Sequence, residues 1–369
     1  MADRVLILGG RGRIGYSVAC DLATYTPAQI TVTGRSTTHA SGADQLGPRV
    51  RSLPLDLADQ QGLEQAIAAS DLVIHCAGPF RYRDANVLKT CIAQGVNYLD
   101  VSDDRSFTQA ALSYREPAKA AGVTAIVNSG VFPGISNSMV RQGVEQFDHA
   151  ERIHISYVVA GSGGSGVTVM RTTFLGLQHS FEAWIDRQWQ SVKPYTGREI
   201  VEFPQPFGRT GVYWFDMPEA LTLAETFPVD TVIVKFGSAP DFYNHLTALV
   251  ANVFPSALIQ QPNFVEFLSH VSYRMTAVTN RFSGIGVAMR AEVRGQKAGQ
   301  PAQYVSTFVH DNTATSVGCG TGGLAELMLS GELQYPGVWA VEQAVPTDLF
   351  QKTMQRRGIA IAEQWTPLE

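Results

Sequence analysis

The stretch "VLILGGRGRIG", residues 5–15, sets Gly10-x-Gly12-x-x-Gly15 directly after an apolar run and at the head of a helical pattern. A glycine triplet alone is weak evidence. Between a strand and a helix each glycine has a mechanical reason: Gly10 for a tight turn, Gly12 for close approach of backbone N–H groups to a pyrophosphate, Gly15 for packing of helix on sheet. The helix N-terminus adds partial positive charge toward the phosphates. Gly10, Arg11, Gly12, Arg13 and Ile14 are therefore the expected cradle of a dinucleotide, against the plainer alternative of a glycine turn with no ligand.

The next strand ends in "TVTGRS", residues 31–36. An NAD site would end it in Asp or Glu to hold the ribose 2′-hydroxyl, and that carboxylate would repel a 2′-phosphate. Gly34-Arg35-Ser36 instead offers a guanidinium that can grip the phosphate bidentately and a hydroxyl donor beside it. Charge-assisted hydrogen bonds of about 1.5–3 kcal/mol each are enough to select NADP over NAD. The competing reading of Arg35 is a solvated loop cation. Arg11 can stack on the adenine or reach the same phosphate. Asp56-Leu57 follows the third strand, where Asp56 either reaches the adenine amine or caps a helix. "HCAGPF", residues 75–80, ends the fourth strand at the mouth of the expected crevice. Cys76, Ala77, Gly78 and Pro79 are placed beside the cofactor there, and Phe80 is an apolar wall for substrate.

The first ~130 residues alternate short apolar runs with helical patterns, as βαβ units do. Strands are expected at Arg4–Leu8, Gln29–Thr33, Val50–Pro54, Leu72–Cys76, Asn97–Val101 and Thr124–Asn128, with helices at Ile14–Ala23, Gly62–Ala69, Ala85–Gln94 and Ala110–Ala121. From about residue 150 the texture changes. "GIGVAMRAEVRG" and "PAQYVSTFVHD" alternate with period two about "QKAGQ" and form an expected hairpin. "GSGGSG" (161–166) reads as a flexible turn or lid rather than a phosphate loop, having no Lys and no clear helix after it. The tail turns helical and is expected to pack back onto the first domain. The fold class is thus α/β: a Rossmann-type parallel-sheet domain, residues 1–135 and 313–369, plus an α+β substrate and dimerisation domain, residues 136–312, with a mostly antiparallel sheet.

Net charge −5 argues against nucleic acid. Cys20, Cys76, Cys91 and Cys319 show neither CxxC nor Cys/His metal spacing, so no metal is expected, and they suit a reducing compartment. With no apolar run of spanning length and no signal-peptide pattern, the expected location is the cytoplasm and no membrane is expected as partner. The Tyr-x-x-x-Lys pair of short-chain dehydrogenases is missing, since Tyr114 and Lys119 stand one residue too far apart.

"VLILGGRGRIG", "CAGPF", "YLDVSDD" (98–104), "GVFPGISN" (130–137) and the tail "PGVWAVEQAVPTDLFQKTMQRRG" together resemble the saccharopine dehydrogenase-like family. The middle of the chain resembles it in texture only. The resemblance implies NADPH-dependent reduction of an imine between an amine and an amino-acid semialdehyde, giving a secondary amine. It also implies a homodimer paired through the substrate-domain sheet. The family's Tyr-x-Asp-x-Ser/Thr-Gly-Glu stands here as Tyr98-x-Asp100-x-Ser102-Asp103-Asp104, and its Asp-Pro-Gly as Phe132-Pro133-Gly134. These departures argue against saccharopine as product and fit a branch acting on carboxyaminopropylagmatine, made from agmatine and aspartate semialdehyde in polyamine (spermidine) biosynthesis, or on carboxynorspermidine.

Asp103 and Asp104, at the end of the fifth strand, can favour an iminium cation or bind a cationic amine; Asp104 is placed with both catalysis and substrate binding. Their alternative role is helix capping. A semialdehyde's carboxylate wants an arginine, and Arg171 and Arg209 are the candidates. Asp241 meets a guanidinium or caps a helix, and His245 is either a packed helix residue or an acid–base group. Two other readings stand beside imine reduction. One is a carbonyl or enoyl reductase whose lipid-like substrate lies against Phe174, Phe181, Trp184 and Trp189; helical spacing of these aromatics favours the core instead. The other is a non-catalytic NADP(H) sensor. If Arg35 holds the 2′-phosphate, Arg35→Asp raises the KM for NADPH far more than that for NADH in steady-state kinetics, and equal effects on both would refute the assignment.

Overall fold

The computed structural model describes residues 3–34, 46–161 and 167–368. The chain divides into two compact units, Met1–Ser138 with Ala314–Ile359 and Met139–Thr313 with Ala360–Glu369. The first unit opens as β1 (Arg4–Leu8), α1 (Arg13–Tyr25), β2 (Gln29–Gly34), β3 (Val50–Pro54), α2 (Gln60–Ala68), β4 (Leu72–His75), α3 (Asn86–Gln94), β5 (Asn97–Asp100), α4 (Arg105–Leu112), α5 (Arg115–Ala120), β6 (Thr124–Val127) and α6 (Ile135–Val144), the last crossing into the second unit. That unit runs β7 (His149–Ala160), α7 (Val167–Leu175), β8 (Phe181–Ile185), β9 (Gln188–Val192), β10 (Glu199–Glu202), β11 (Arg209–Trp214), α8 (Glu219–Thr226), β12 (Thr231–Ala239), α9 (Phe242–Val253), α10 (Ser256–Ile259), α11 (Pro262–Ser283), β13 (Val287–Lys297) and β14 (Gln300–His310). The tail adds α12 (Thr313–Leu329), β15 (Gly337–Ala340), α13 (Val341–Ala344), α14 (Thr347–Arg356) and β16 (Ile361–Pro367).

The first sheet is parallel throughout, in the order β15-β6-β5-β4-β1-β2-β3. Residues of β1, β4 and β6 are buried on both faces, as helices on either side require. The order reverses between β1 and β4, which makes the carboxyl ends of those two strands the topological switch point. The expected helix over 110–121 is two helices, α4 and α5. A continuous helix would drive the ring of Pro117 into the carbonyl of Ser113, and the chain breaks there. β15 joins the sheet beyond β6, from a tail in which only helices were expected.

α1 buries Gly15, Val18, Ala19, Asp21 and Leu22, one stripe at helical spacing. Asp21 is tolerated there because Arg357, just past α14, meets it in two bonds of 2.8 and 2.6 Å, with Glu326 of α12 2.9 Å from the same guanidinium. Burial raises the Asp21 carboxyl to about 6, against the pull of Arg357. This buried cluster ties the returning tail to α1.

The second sheet has the order β10-β11-β12-β7-β13-β14-β16, with the β8–β9 hairpin attached to β12. It is antiparallel except for β7 against β12. The tail was expected wholly with the first domain; instead β16 pairs with β14 over seven residues, and Trp365 packs on Tyr304 at 5.3 Å. An alternating "IAEQWTP" is an edge strand, not a helix. Phe181, Trp184 and Trp189, expected at helical spacing, lie on β8 and β9. Their two-residue turn is Asp186-Arg187, both at positive φ, and without an Asn-Gly or Asp-Gly signal it was hidden in the sequence. Residues 162–166 lie outside the described residues, but a helix, α7, does begin directly after them. No helix among the described residues is long and apolar enough to cross a membrane.

Arg357→Leu leaves the buried Asp21 without its cation, while Glu326 keeps Arg356. Urea unfolding at pH 7.5 is expected to show a loss of about 3–5 kcal/mol.

Candidate functional site

The glycine loop leaves β1 at the switch point, and its geometry is set by lack of room. Gly9 has φ +75°, and a Cβ on it would stand 2.9 Å from Cα of Ala77, at the end of β4. Gly9, not Gly10, therefore makes the left-handed turn, a role the sequence reading gave to its neighbour. Gly10 is glycine because a Cβ would meet Val32 at 2.7 Å, and Gly15 because it would meet Cα of Gly10 at 2.6 Å. Gly12 differs from both. It is exposed, a Cβ there would touch only the Gly9 carbonyl at 3.2 Å, and it caps α1 without any side chain to receive the helix's first N–H groups. An open glycine at an uncapped helix N-terminus fits a phosphate group. Arg13 and Ile14 form the first turn behind it.

The stem of Arg11 lies against Gly34, where a Cβ would come within 3.0 Å of its Cδ. Glycine at 34 thus makes space for Arg11 at the end of β2. Arg35 and Ser36 lie outside the described residues. Asp56 is exposed and accepts from the Ala58 amide at 3.0 Å; the cap of α2 is Asp59, which accepts from Gly62. Leu57 packs partly onto the core. Cys76, Ala77, Gly78 and Pro79 are half-buried after β4, with Arg83 donating to the Ala77 carbonyl at 2.9 Å. Burial pushes the Cys76 thiol up, with the Asp100 carboxylate adding to it, so the thiol stays protonated. Phe80 is corrected: it is buried between His75 and Phe107, each 5.0 Å away ring to ring, and belongs to the core rather than to a substrate wall.

Beyond β5 the three carboxylates divide into different tasks. Asp100 is fully buried, and its Oδ1 accepts from the amides of Ser102 at 3.0 Å and Asn128 at 2.9 Å. Burial raises it to about 6, and those amide bonds pull against the rise. Asn128, at φ 63°, donates in turn to the Ser102 carbonyl and the Thr108 hydroxyl, so the segments after β5 and β6 are pinned together. Asp104 caps α4, its Oδ1 accepting from the Phe107 amide at 2.9 Å and the Ser106 hydroxyl at 2.5 Å, with Arg81 3.9 Å from its other oxygen. Asp103 is left. Its carboxyl takes a hydrogen bond from its own amide, no cation pairs with it among the described residues, and burial followed by the charge of Asp104 raises it to about 6. Of the two carboxylates expected to act, one is a cap and the other is available to a ligand. Asn128 was not expected; an Asn directly after a strand, able to take the left-handed region, was its only signal.

The candidates of the second unit are mostly committed. Arg171 forms a two-bond pair with Glu266, both bonds 2.7 Å, so its guanidinium is not held for a substrate. Asp241 accepts from Arg198 at 2.7 Å, from Gly211 at 3.1 Å and from Asn244 at 2.8 Å; it stands at the head of α9 without capping it. Burial would raise its carboxyl, but these bonds from Asn244 and Arg198 leave it lowered. His245 is exposed, 3.6 Å from Asp241. Arg209 is exposed at the start of β11 and has no ion pair among the described residues. No group of three His, Cys, Asp or Glu side chains there is placed to hold a metal.

Residues 5–126 match the family model described as the saccharopine dehydrogenase NADP binding domain. The chain is an NADP-dependent oxidoreductase whose first domain is similar to that of saccharopine dehydrogenases. It is similar to carboxyaminopropylagmatine dehydrogenase of Synechocystis sp., 24% identical over 349 residues covering 83% of each chain. It is also similar to carboxynorspermidine synthase of Vibrio cholerae, 23% identical over 321 residues covering 78% of this chain and 76% of that one. Among solved structures, C. glutamicum DAP dehydrogenase in complex with DAP aligns over 97% of this chain and 99% of its own, with 14% identity and a TM-score of 0.49.

In this oxidoreductase the open Gly12 at the uncapped start of α1 has the geometry a pyrophosphate requires. The position of Asp103 has a cost in stability. Its folded-state value of about 6 lies above the ordinary 3.8. Between those values the folded chain binds the proton more tightly than the unfolded chain, so stability falls as pH rises through that window and stays reduced above it. Asp103→Asn is expected to be more stable than the parent by about 1–2 kcal/mol at pH 8, with the gain shrinking toward zero near pH 4. Urea unfolding at the two pH values measures it; a gain independent of pH would contradict the assignment.

Proposed function

We propose that this chain reduces the imine formed between an amine and an amino-acid semialdehyde, giving a secondary amine. The reading that fits best is carboxyaminopropylagmatine from agmatine and aspartate semialdehyde, in polyamine synthesis. The observation that carries it is Asp103: a partly buried carboxyl at the carboxyl end of β5, uncommitted to any cation and raised to about 6. Two relatives along most of the chain, whose names specify carboxylated polyamine products, support it.

Condensation of amine and aldehyde releases water and leaves a C=N bond whose nitrogen must be protonated to accept a hydride at carbon. When bound, NADPH supplies the hydride. Asp103 holds the proton at the imine nitrogen, and its value near 6 lets it exist in both protonation states close to neutral pH. As the carboxylate it also attracts the cationic amine. Asp104 positions this stretch by capping α4, and Asp100 fixes the backbone on the other side. Arg209, exposed and without an ion pair among the described residues, is the second unit's candidate partner for a carboxylate. The four free thiols suit a reducing compartment, so the cytoplasm belongs to this reading, as does a homodimer.

NADPH fluorescence with agmatine alone, aspartate semialdehyde alone and both together tests the proposal. Loss of signal is expected only with both. Asp103→Asn is expected to lower kcat by about 10²–10⁴, while Asp104→Ser, which keeps a capping side chain, retains most activity. Oxidation of NADPH by the aldehyde alone would turn the reading to carbonyl reduction.

A further inference from the structure

The long helix α11 is amphipathic the wrong way round for an isolated protein. Ser269 and Thr276 on its inner face are 0% and 3% exposed, with Ser272 beside them, while Phe267 and Val278 are 60% and 69% exposed and Val271 and Met275 lie between them on the outer face. The inner hydroxyls are satisfied locally: Ser269 donates to the Val265 carbonyl at 2.6 Å, Thr276 to the Tyr273 carbonyl at 2.9 Å, and Ser272 to Sδ of Met170 on α7 at 3.4 Å. Small side chains let α7 lie close on that side. The large apolar side chains are turned outward at spacings of four, four and three, a continuous helical stripe.

α9 carries a matching stripe, with Phe242, Leu246, Leu249 and Val253 all exposed at spacings of four, three and four. The two helices lie antiparallel. The hydroxyl of Tyr243, at the start of α9, is 2.8 Å from that of Thr279 near the end of α11, and the ring of Phe254, just past α9, is 5.7 Å from Phe264 near the start of α11. Together with Phe254 the stripes expose on the order of 900 Å² of apolar side chain, which exceeds the largest patch of a typical monomer, ~300–600 Å², and matches the ~800 Å² each partner contributes to a stable interface.

We propose that the α9–α11 face is the surface through which two copies of this chain pair. This goes beyond the proposed reaction, does not depend on it, and places the pairing on these helices rather than on the substrate-domain sheet that the family resemblance implies. A two-fold axis near the middle of α11 lays the helix antiparallel on its copy, so the stripe meets itself. A lipid surface fits less well: the face bears few basic side chains and the chain is net −5.

Sedimentation equilibrium of the full chain at micromolar concentration is expected to give twice 40.0 kDa. The double variant Val271→Glu with Met275→Glu is expected to weaken association at least 100-fold while its circular dichroism and melting stay those of the parent. The native cysteines, at 20, 76, 91 and 319, all lie in the first unit. Val271→Cys therefore places a lone thiol on the second unit, and a short bis-maleimide is expected to join two copies through it but not to join two copies of the parent. A parent that sediments as a monomer overturns the proposal, whether or not it floats with anionic vesicles. So does a double variant that remains dimeric, which would place the contact elsewhere, such as on the second sheet. Should the double variant fail to fold, the cross-link decides: a dimer that Val271→Cys does not join overturns the proposal.

Discussion

Between the ends of β1 and β4 there is no space for a side-chain carbon. Gly9 runs so close to Ala77 that a Cβ would intrude on its backbone, and Gly10 and Gly15 are confined in the same way by Val32 and by one another. This crowding brings the loop after β1 and the segment after β4 together at the place where strand order reverses. It also leaves Gly12 as the one glycine of the 10-x-12-x-x-15 pattern that faces outward, at the start of a helix with no side-chain cap. The three glycines of the motif thus do two kinds of work. Two are required by packing whether or not a ligand is present; the third leaves backbone N–H groups open at a helix start, the geometry that suits a phosphate.

The carboxylates after β5 show a second economy. Asp100 spends its charge on two backbone amides, Asp104 on the first turn of α4, and only Asp103 keeps a carboxyl without a fixed partner. A half-buried carboxyl of that kind costs stability above pH 6, and chains shed such groups readily unless something is gained. The neighbouring structure is arranged to hold Asp103 where it is: Asn128 clamps the backbone at Ser102 from one side and the α4 cap fixes it from the other. A group that is both destabilising and firmly held is better explained by chemistry than by folding.

The parallel sheet was legible because its inner strands β1, β4 and β6 are covered on both faces and so read as apolar runs; β1 falls where the sequence put it. Local chemistry was legible too, up to a register of one. "VSDDRSF" announces a helix start, but which of Asp103 and Asp104 takes the cap depends on where the backbone leaves β5. What stayed hidden depends on partners far away in sequence. Arg171 looked available until Glu266, 95 residues on, appeared across from it. Phe80 looked like a wall until His75 and Phe107 closed around it. The β8–β9 hairpin was concealed by a turn with no glycine, and β16 by a tail whose other elements are mostly helices.

α11 marks a different limit. Its sequence carries two coherent faces, one of hydroxyls and one of large apolar groups, and the usual rule would bury the second. The hydroxyls can be buried because each finds an acceptor nearby, on its own helix or on α7, so hiding them leaves no polar group unpaired. A Phe or Met face would hold α7 farther off. The close packing of α7 on α11 therefore selects the small face, and the large apolar side chains are left outside by default. The proposed pairing would cover them from water by association rather than by folding, and would make the stability of this unit depend on the concentration of its own copies. A single-chain reading of amphipathicity cannot anticipate that, because the choice of inner face is made by helix–helix distance and only afterwards by hydrophobicity.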